Sequence, residues 1–497
     1  MSSSNTSTSR RHIQVMIIGS GLSGLGTAIR LSQRGVTDYL VVERGADVGG
    51  TWRDNTYPGA GCDVPSHLYS YSFALNPHWS RSFSPQAEIE QYLRQVADRY
   101  GVRDKHLFDT TMTAARWIDA DGRWEVDTSN GAFTADFVVS AAGVLAEPNV
   151  PDIKGISSFE GEIFHSARWN HDASLAGRKV AVIGTGSSAV QIVPSIAPQV
   201  ERLDVYQRTA TWVMPQLNRP YLAPERFAFQ HVPGLQRMIR ALIYIAREAF
   251  VVTQVKLPWT GLLLETVGRV KMWLEIRDPE KRRKVLPKHR IGCKRMLVSN
   301  KFYGALDRDN VDLVTDGIAE VRARSIVTED GTEREVDAIV LATGFHVADS
   351  PTFNLYTGRD GRTVSEAADA EGYQMYKGTT VANFPNMFFM LGANSGLNYT
   401  SLIYIIESQI NYVVDAVTTM RQRNLQSFEV KLDAQHEYNR GLAPKMARTV
   451  WVTGGCTSWF LDKHGNNSAL WPDFSFRYRK LVRAFDIEAY ETTAKTP

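Results

Sequence analysis

The stretch Val15-Met16-Ile17-Ile18-Gly19-Ser20-Gly21-Leu22-Ser23-Gly24 is an apolar run, then a glycine turn, and Leu25 to Arg34 continues it with helical spacing. Four apolar residues without alternation predict a strand buried on both faces. Gly19 makes the tight turn, Gly21 lets the backbone approach a pyrophosphate, and Gly24 lets helix and strand pack closely; Ser20 and Ser23 lie in the same turn. The helix N-terminus offers unpaired N–H groups to an anion. A glycine turn alone is a weak signal, and the next strand strengthens it. Tyr39-Leu40-Val41-Val42 ends at Glu43, 19 residues beyond Gly24, where a carboxylate accepts hydrogen bonds from a ribose diol and repels a 2′-phosphate.

The pattern recurs once. Val180-Ala181-Val182-Ile183 leads into Gly184-Thr185-Gly186-Ser187-Ser188-Ala189 and the helical stretch Val190 to Ile196. The following strand, Arg202 to Tyr206, runs into Gln207-Arg208-Thr209 with no carboxylate. Arg208 can form charge-assisted bonds to a 2′-phosphate, and Thr209 adds a hydroxyl. The first turn therefore suits FAD or NAD and the second NADPH. Two such sites in one chain imply electron transfer between a nicotinamide and a bound flavin.

At 497 residues the chain is long enough for two or three domains. Lys and Arg number 56 against 53 Asp and Glu, a net charge of +3 and an ordinary charged fraction of 22%, which gives no reason to expect a nucleic-acid partner. Cys62, Cys293 and Cys456 are odd in number, far apart and in no CxxC pair. Neither a disulfide framework nor a zinc site is expected, and a reducing cytoplasm is the default location. The polar start MSSSNTSTSRRH lacks the features of a cleaved signal and reads as a frayed tail. The most apolar region, Met238 to Leu264, is interrupted by Arg240, Arg247, Glu248 and Lys256, so no transmembrane helix is expected.

Between the two turns, Arg116 to Ile118 and Trp124 to Val126 flank a turn and predict a hairpin, with a return strand over Ala135 to Ser140. Pro148 and Pro151 break regular structure. Gln216 to Arg290 reads as inserted helices, and Val311 to Val314 and Glu335 to Leu341 as strands. The segment His346 to Asn383 is irregular, polar and too long for an idle loop, so it is expected to cover a site. A strand over Met387 to Leu391 and a helix over Leu402 to Met420 complete the first unit. The expected fold class is α/β: two Rossmann-like dinucleotide-binding domains, for FAD and NADP, with a helical insertion. The expected boundaries are 1–148 for the first part of the FAD domain, 149–334 for the NADP domain with its insertion at about 216–290, and 335–497 for the second part.

Gly49-Gly50-Thr51-Trp52 and Tyr57-Pro58-Gly59-Ala60-Gly61-Cys62-Asp63 resemble class B flavoprotein monooxygenases. Phe159 to Asn170 resembles the FxGxxxHxxxW(P/D) fingerprint of type I Baeyer–Villiger monooxygenases: Phe159, Gly161, His165 and Trp169 are in place, and Asn170 stands where the family has Pro or Asp. The resemblance runs from Val15 to about Trp471 and includes Leu341 to Phe345. It implies FAD contacts at Gly19, Ser20, Gly21, Ser23, Gly24, Glu43, Gly50, Thr51, Trp52, Asp63, Tyr69 and Met112. It implies NADPH contacts at Thr185, Gly186, Ser187, Ser188, Gln191, Arg208, Thr209 and Lys294. Arg295 matches the family's active-site arginine, with Asp63 orienting it. His165 is expected to couple the two domains. The implied reaction is NADPH- and O2-dependent conversion of ketones to esters or lactones through a C4a-peroxyflavin.

Three other classes compete. A flavin-containing monooxygenase acting on amines or sulfides carries a related fingerprint with Tyr or Phe at the position of Trp169. A flavin disulfide reductase needs a redox-active cysteine pair that the spacing here does not supply. A non-catalytic flavin sensor would be expected to lack Glu43, Arg208 or Arg295, and all three are present.

Overall fold

The computed structural model describes residues 10–347, 349–462 and 465–495. Most of the expected frayed tail, residues 1–9, lies outside them.

The first glycine turn follows the strand β1 (Arg11–Ile18) and opens the helix Leu22–Gln33. β1 sits centrally in its sheet, between β2 (Tyr39–Val42) and the long β6 (Gly131–Ser140), both parallel to it. β3 (His106–Leu107) extends β2, while β4 (Met112–Ile118) and β5 (Arg123–Thr128) form the antiparallel hairpin. β6 pairs with β5 along its first half and with the strand Met387–Phe389 along its last three residues. The C-terminal part of the chain thus completes the first sheet. The helices Leu22–Gln33 and Leu402–Gln422 cover one face, where Val15, Ile17 and Ala28 share a core with Ile405 and Val413.

The second sheet has five parallel strands. They run in the order Val311–Val314, β9 (Arg202–Tyr206), β8 (Lys179–Ile183), Ala338–Leu341 and β7 (Glu162–His165). Two expectations change here. The strand Ala338–Leu341 pairs with β8 and β7, so it belongs to the second sheet, and the boundary expected at 334 moves past it. The chain crosses between sheets at Phe345, which bridges to Pro148 while the Asn149 N–H donates to the Gly344 carbonyl. The segment 346–383 is also more regular than its polarity implies. Tyr356–Thr357 adds an edge strand to β4, and the helix Val364–Glu371 opens with a capping box between Thr363 and Glu366.

The inserted helices are Ala223–His231, Leu235–Glu248, Gly261–Glu275 and Pro279–Lys284. Among the described residues no helix is long and apolar enough to cross a membrane. The cysteine expectation is corrected: Cys293 and Cys456 form a disulfide across 163 residues, with their Cα atoms 6.1 Å apart. An odd count does not exclude one pair, and sequence separation says nothing of proximity once the C-terminal segment folds back. Cys62 remains a buried free thiol. Thiol titration of the unfolded protein, purified without reductant, should count one group; three would contradict the pairing.

Candidate active site

Both glycine turns sit at strand ends, where backbone must come close to backbone. Gly19 has φ +101°, and a Cβ there would lie 2.6 Å from the Ala141 carbonyl oxygen. A Cβ on Gly24 would lie 1.8 Å from the Gly19 carbonyl oxygen, and one on Gly50 2.9 Å from the Gly21 Cα. Gly21 is the N-cap of the first helix and no side chain caps it. The buried Ser20 hydroxyl has no partner among the described residues. This cradle of bare backbone and one orphaned hydroxyl fits a pyrophosphate.

Glu43 is buried at the end of β2, but its carboxylate is already engaged. Oε2 accepts from the Ser20 N–H (2.7 Å), and Oε1 from the Gly45 N–H (2.8 Å) and Arg53 Nη1 (2.9 Å). A carboxylate offers about four lone-pair sites, so room remains for one ribose hydroxyl. Arg53 was not singled out in the sequence. The signal for it was the need of a buried carboxylate for a cation, which the turn Gly49–Asp54 could supply. Beyond Thr51, Trp52 donates through Nε1 to the Tyr69 hydroxyl (3.1 Å), and burial pushes the Tyr69 phenol well up. Met112 opens β4, beside Thr110, whose N–H donates to the Glu43 carbonyl.

The second turn repeats the geometry with more room. A Cβ on Gly184 would strike the Ala342 carbonyl oxygen at 2.4 Å, but one on Gly186 meets nothing within 4 Å. Gly186 caps the helix Ser187–Ile196, whose first residues are Ser187 and Ser188. Gly186→Ala should therefore fold with an unchanged melting temperature and still bind NADPH less well; a parental KM for NADPH would contradict this. Gly24→Ala should instead lower the yield of folded, flavin-loaded protein, measured by visible absorbance. Thr185 Oγ1 donates to the Thr209 carbonyl (3.1 Å), tying the turn to the residue after Arg208. Arg208 is exposed. Burial, and then the positive charge of Arg208, pull the Lys294 ammonium below its ordinary value.

Gln191 makes contacts that the resemblance does not imply. Its amide pairs with both polar atoms of the Gly61 backbone, donating to the carbonyl (2.9 Å) and accepting from the N–H (3.3 Å), and it also accepts from the Tyr57 hydroxyl (2.9 Å). It joins the second nucleotide helix to the loop that carries Asp63.

That loop meets Arg295 in a bidentate pair, Nε to Oδ2 at 2.8 Å and Nη2 to Oδ1 at 2.7 Å. Burial works to raise the Asp63 carboxyl, but the charge and hydrogen bonds of Arg295, with Arg247 behind, hold it below the ordinary carboxylate range. Because the shift is downward, the pair's contribution is complete above the ordinary value and is lost only as pH falls through the lowered one. The side chains of Arg295 and Asp63 keep 27% and 20% of their surface exposed. Arg247 Nη2 donates to the Asp63 carbonyl oxygen at 3.3 Å, and its Nε has no partner among the described residues. One carboxylate between two guanidiniums leaves a net charge of +1. In the sequence Arg247 looked only like an interruption of an apolar run; its spacing of seven from Arg240 places the two on one helix face.

The fingerprint residues tie β7 to the crossing strand. His165 is buried, with Nδ1 accepting from the Ala167 N–H (3.1 Å) and its ring edge-on to Phe345 at 5.6 Å. Burial lowers its pKa, which suits a neutral packing residue. Trp169 packs edge-on against Phe164 at 4.9 Å, and Asn170 donates to Glu162.

Residues 16–224 match the family model described as pyridine nucleotide-disulphide oxidoreductase. A Baeyer–Villiger monooxygenase of Streptomyces coelicolor is 46% identical over 98% of this chain and 94% of its own length. Another, of Pseudomonas aeruginosa, is 45% identical over 99% and 94%. Among solved structures, cyclohexanone monooxygenase from Rhodococcus sp. Phi1 bound to NADP+ superposes with a TM-score of 0.88 at 29% identity, covering 98% of this chain and all of that one. OTEMO in complex with FAD and NADP matches equally at 28% identity, over 97% and 99%. With two close relatives of one kind spanning nearly its whole length, the chain belongs to the Baeyer–Villiger monooxygenase family.

Proposed function

We propose that this chain is an NADPH- and O2-dependent monooxygenase that holds FAD and converts ketones to esters or lactones. The observation that carries the reading is the Arg295–Asp63 pair, partly open and reinforced by Arg247. FAD, once reduced by NADPH and exposed to O2, supplies an oxygen nucleophile. Ser20, Glu43 and the bare backbone of Gly19, Gly21 and Gly50 would hold it at the first turn, with Thr51, Trp52 and Tyr69 beyond. Gly186, Ser187, Ser188, Arg208, Thr209 and Lys294 would hold NADPH at the second, and Gln191 would fix the angle between the two.

The chain's own part in the chemistry is electrostatic. A nucleophile adding to a carbonyl pushes negative charge onto the carbonyl oxygen. A guanidinium that stays charged and is already oriented stabilises that charge without reorganising. Asp63 provides the orientation by taking two of the donors of Arg295, and the remaining N–H groups are left for the substrate. A carbonyl substrate uses such a fixed cation, whereas an amine or sulfide, itself the nucleophile, gains nothing from it. The near relatives favour the same choice.

Residues 1–148 and about 346–497 would then form the FAD domain and 149–345 the NADP domain. The cytoplasm, where NADPH is made, is the proposed location. The reading is tested by supplying NADPH and a panel of cyclic, linear and aromatic ketones, one thioether and one amine to the purified protein. Ester or lactone formation matched to NADPH consumption is expected. Consumption with the amine and no ester from any ketone would overturn it.

A further inference from the structure

Two of the inserted helices are turned inside out. In the helix Gly261–Glu275 the residues facing inward include the charged Glu265 and Lys271, 3% and 6% exposed, while Leu263, Val267, Val270 and Leu274 face solvent. That outward spacing of four, three and four is one continuous helix face. Leu263 is 73% exposed and Trp273, beside the stripe, 63%. Glu265 is held inside by Arg290 (2.6 Å) and the Ile291 N–H, and Lys271 by Glu275. The helix Leu235–Glu248 does the same. Polar side chains turn in beside Ile243 and Tyr244, with Arg240 donating to the His67 and Leu68 carbonyls and Glu248 accepting from Ser475. Met238, Leu242 and Ile245 turn out. Helices at a water boundary bury the opposite face, and an apolar stripe of this length marks an interaction surface.

Charge decides what covers it. Residues 216–290 carry 15 Lys and Arg against 6 Asp and Glu, a net of +9, in a chain whose total is +3; the rest of the chain is therefore −6. The basic run Lys281-Arg282-Arg283-Lys284 abuts the stripe, since the Arg282 guanidinium lies over the Trp273 ring, 5.9 Å from its centroid. A second copy of the chain docked about a two-fold axis would set this patch against itself and bring like charges together. An anionic lipid surface complements it: apolar side chains enter the acyl boundary, Trp259 and Trp273 sit at headgroup level, and the basic run meets lipid phosphates.

We propose that the helical insertion is a monotopic membrane-binding face that seats the protein on anionic bilayers without crossing them. It does not depend on the identity of the ketone or on turnover.

The test is co-sedimentation of the full, flavin-loaded chain with vesicles of phosphatidylcholine alone and of phosphatidylcholine mixed with phosphatidylglycerol. Binding to the mixed vesicles is expected to exceed binding to the neutral ones by about tenfold or more at low salt and to fall as salt rises. The triple variant Leu263→Ser, Val267→Ser, Leu274→Ser changes only exposed positions. It should keep its melting temperature and ketone turnover in buffer and lose the vesicle-bound fraction. Arg282→Glu with Arg283→Glu should remove the preference for anionic lipid. Failure to bind mixed vesicles, or binding untouched by the triple variant, would overturn the proposal. So would a dimer seen by light scattering that the triple variant dissociates, because a second copy would then be what covers the face.

Discussion

Arg295→Ala is expected to leave reduction of the flavin by NADPH within a few-fold of the parent rate and to lower ester formation by about 10²–10³-fold, the loss typical of removing one preorganised charge stabiliser. Hydride transfer to the flavin does not pass through the carbonyl, so anaerobic reduction is the internal control. Removing the guanidinium leaves Asp63 held only through Arg247, which touches its main-chain oxygen, and takes the local net charge from +1 to zero. Arg295→Lys should recover only part of the rate, because an ammonium cannot make the two parallel bonds to Asp63 that fix the arginine plane. Parallel flavin absorbance and melting curves separate this loss from misfolding. An unchanged ester yield in Arg295→Ala would remove the arginine from the chemistry.

The second large effect falls on the coenzyme. Replacing Arg208 and Lys294 together by Ala should raise the KM for NADPH by at least about tenfold, since hydrogen bonds to charged groups are worth roughly 1.5–3 kcal/mol each. NADH, which lacks the 2′-phosphate, should show little change. The structure sharpens this expectation, because Lys294 sits within range of the charge of Arg208 and is destabilised by it. A bound dianion relieves that repulsion. Equal losses with NADPH and NADH would place both cations away from the 2′-phosphate.

The parts of the fold legible in the sequence were those fixed by local chemistry. β2 lies on an unbroken apolar run, β9 and Val311–Val314 on short runs that are mostly apolar, and both nucleotide helices start at the glycine turns. Asp63 and Arg295, 232 residues apart, are hydrogen-bonded to each other. What stayed hidden depends on contacts between distant segments. Ala338–Leu341 reads as a strand, but nothing local says which sheet it joins; pairing to β7 and β8 decides it. Cys293 and Cys456 look solitary until the segment after Thr449 folds over the loop at Arg290, where the Arg290 N–H donates to the Gly454 carbonyl. Gln191 is expected to contact the nucleotide, and nothing local shows that its side chain also bonds Gly61. Composition could not show that Glu265 and Lys271 face inward, because periodicity reveals two faces and not which one is buried.

At the Arg295–Asp63 site, the proposed reaction inserts one atom of dioxygen beside a carbonyl. The most direct measurement is mass analysis of the product formed by the purified enzyme from NADPH, a ketone and isotopically heavy O2. An ester or lactone carrying one heavy oxygen is expected; NADPH oxidation with the ketone recovered unchanged, or a product without the label, would rule this reaction out.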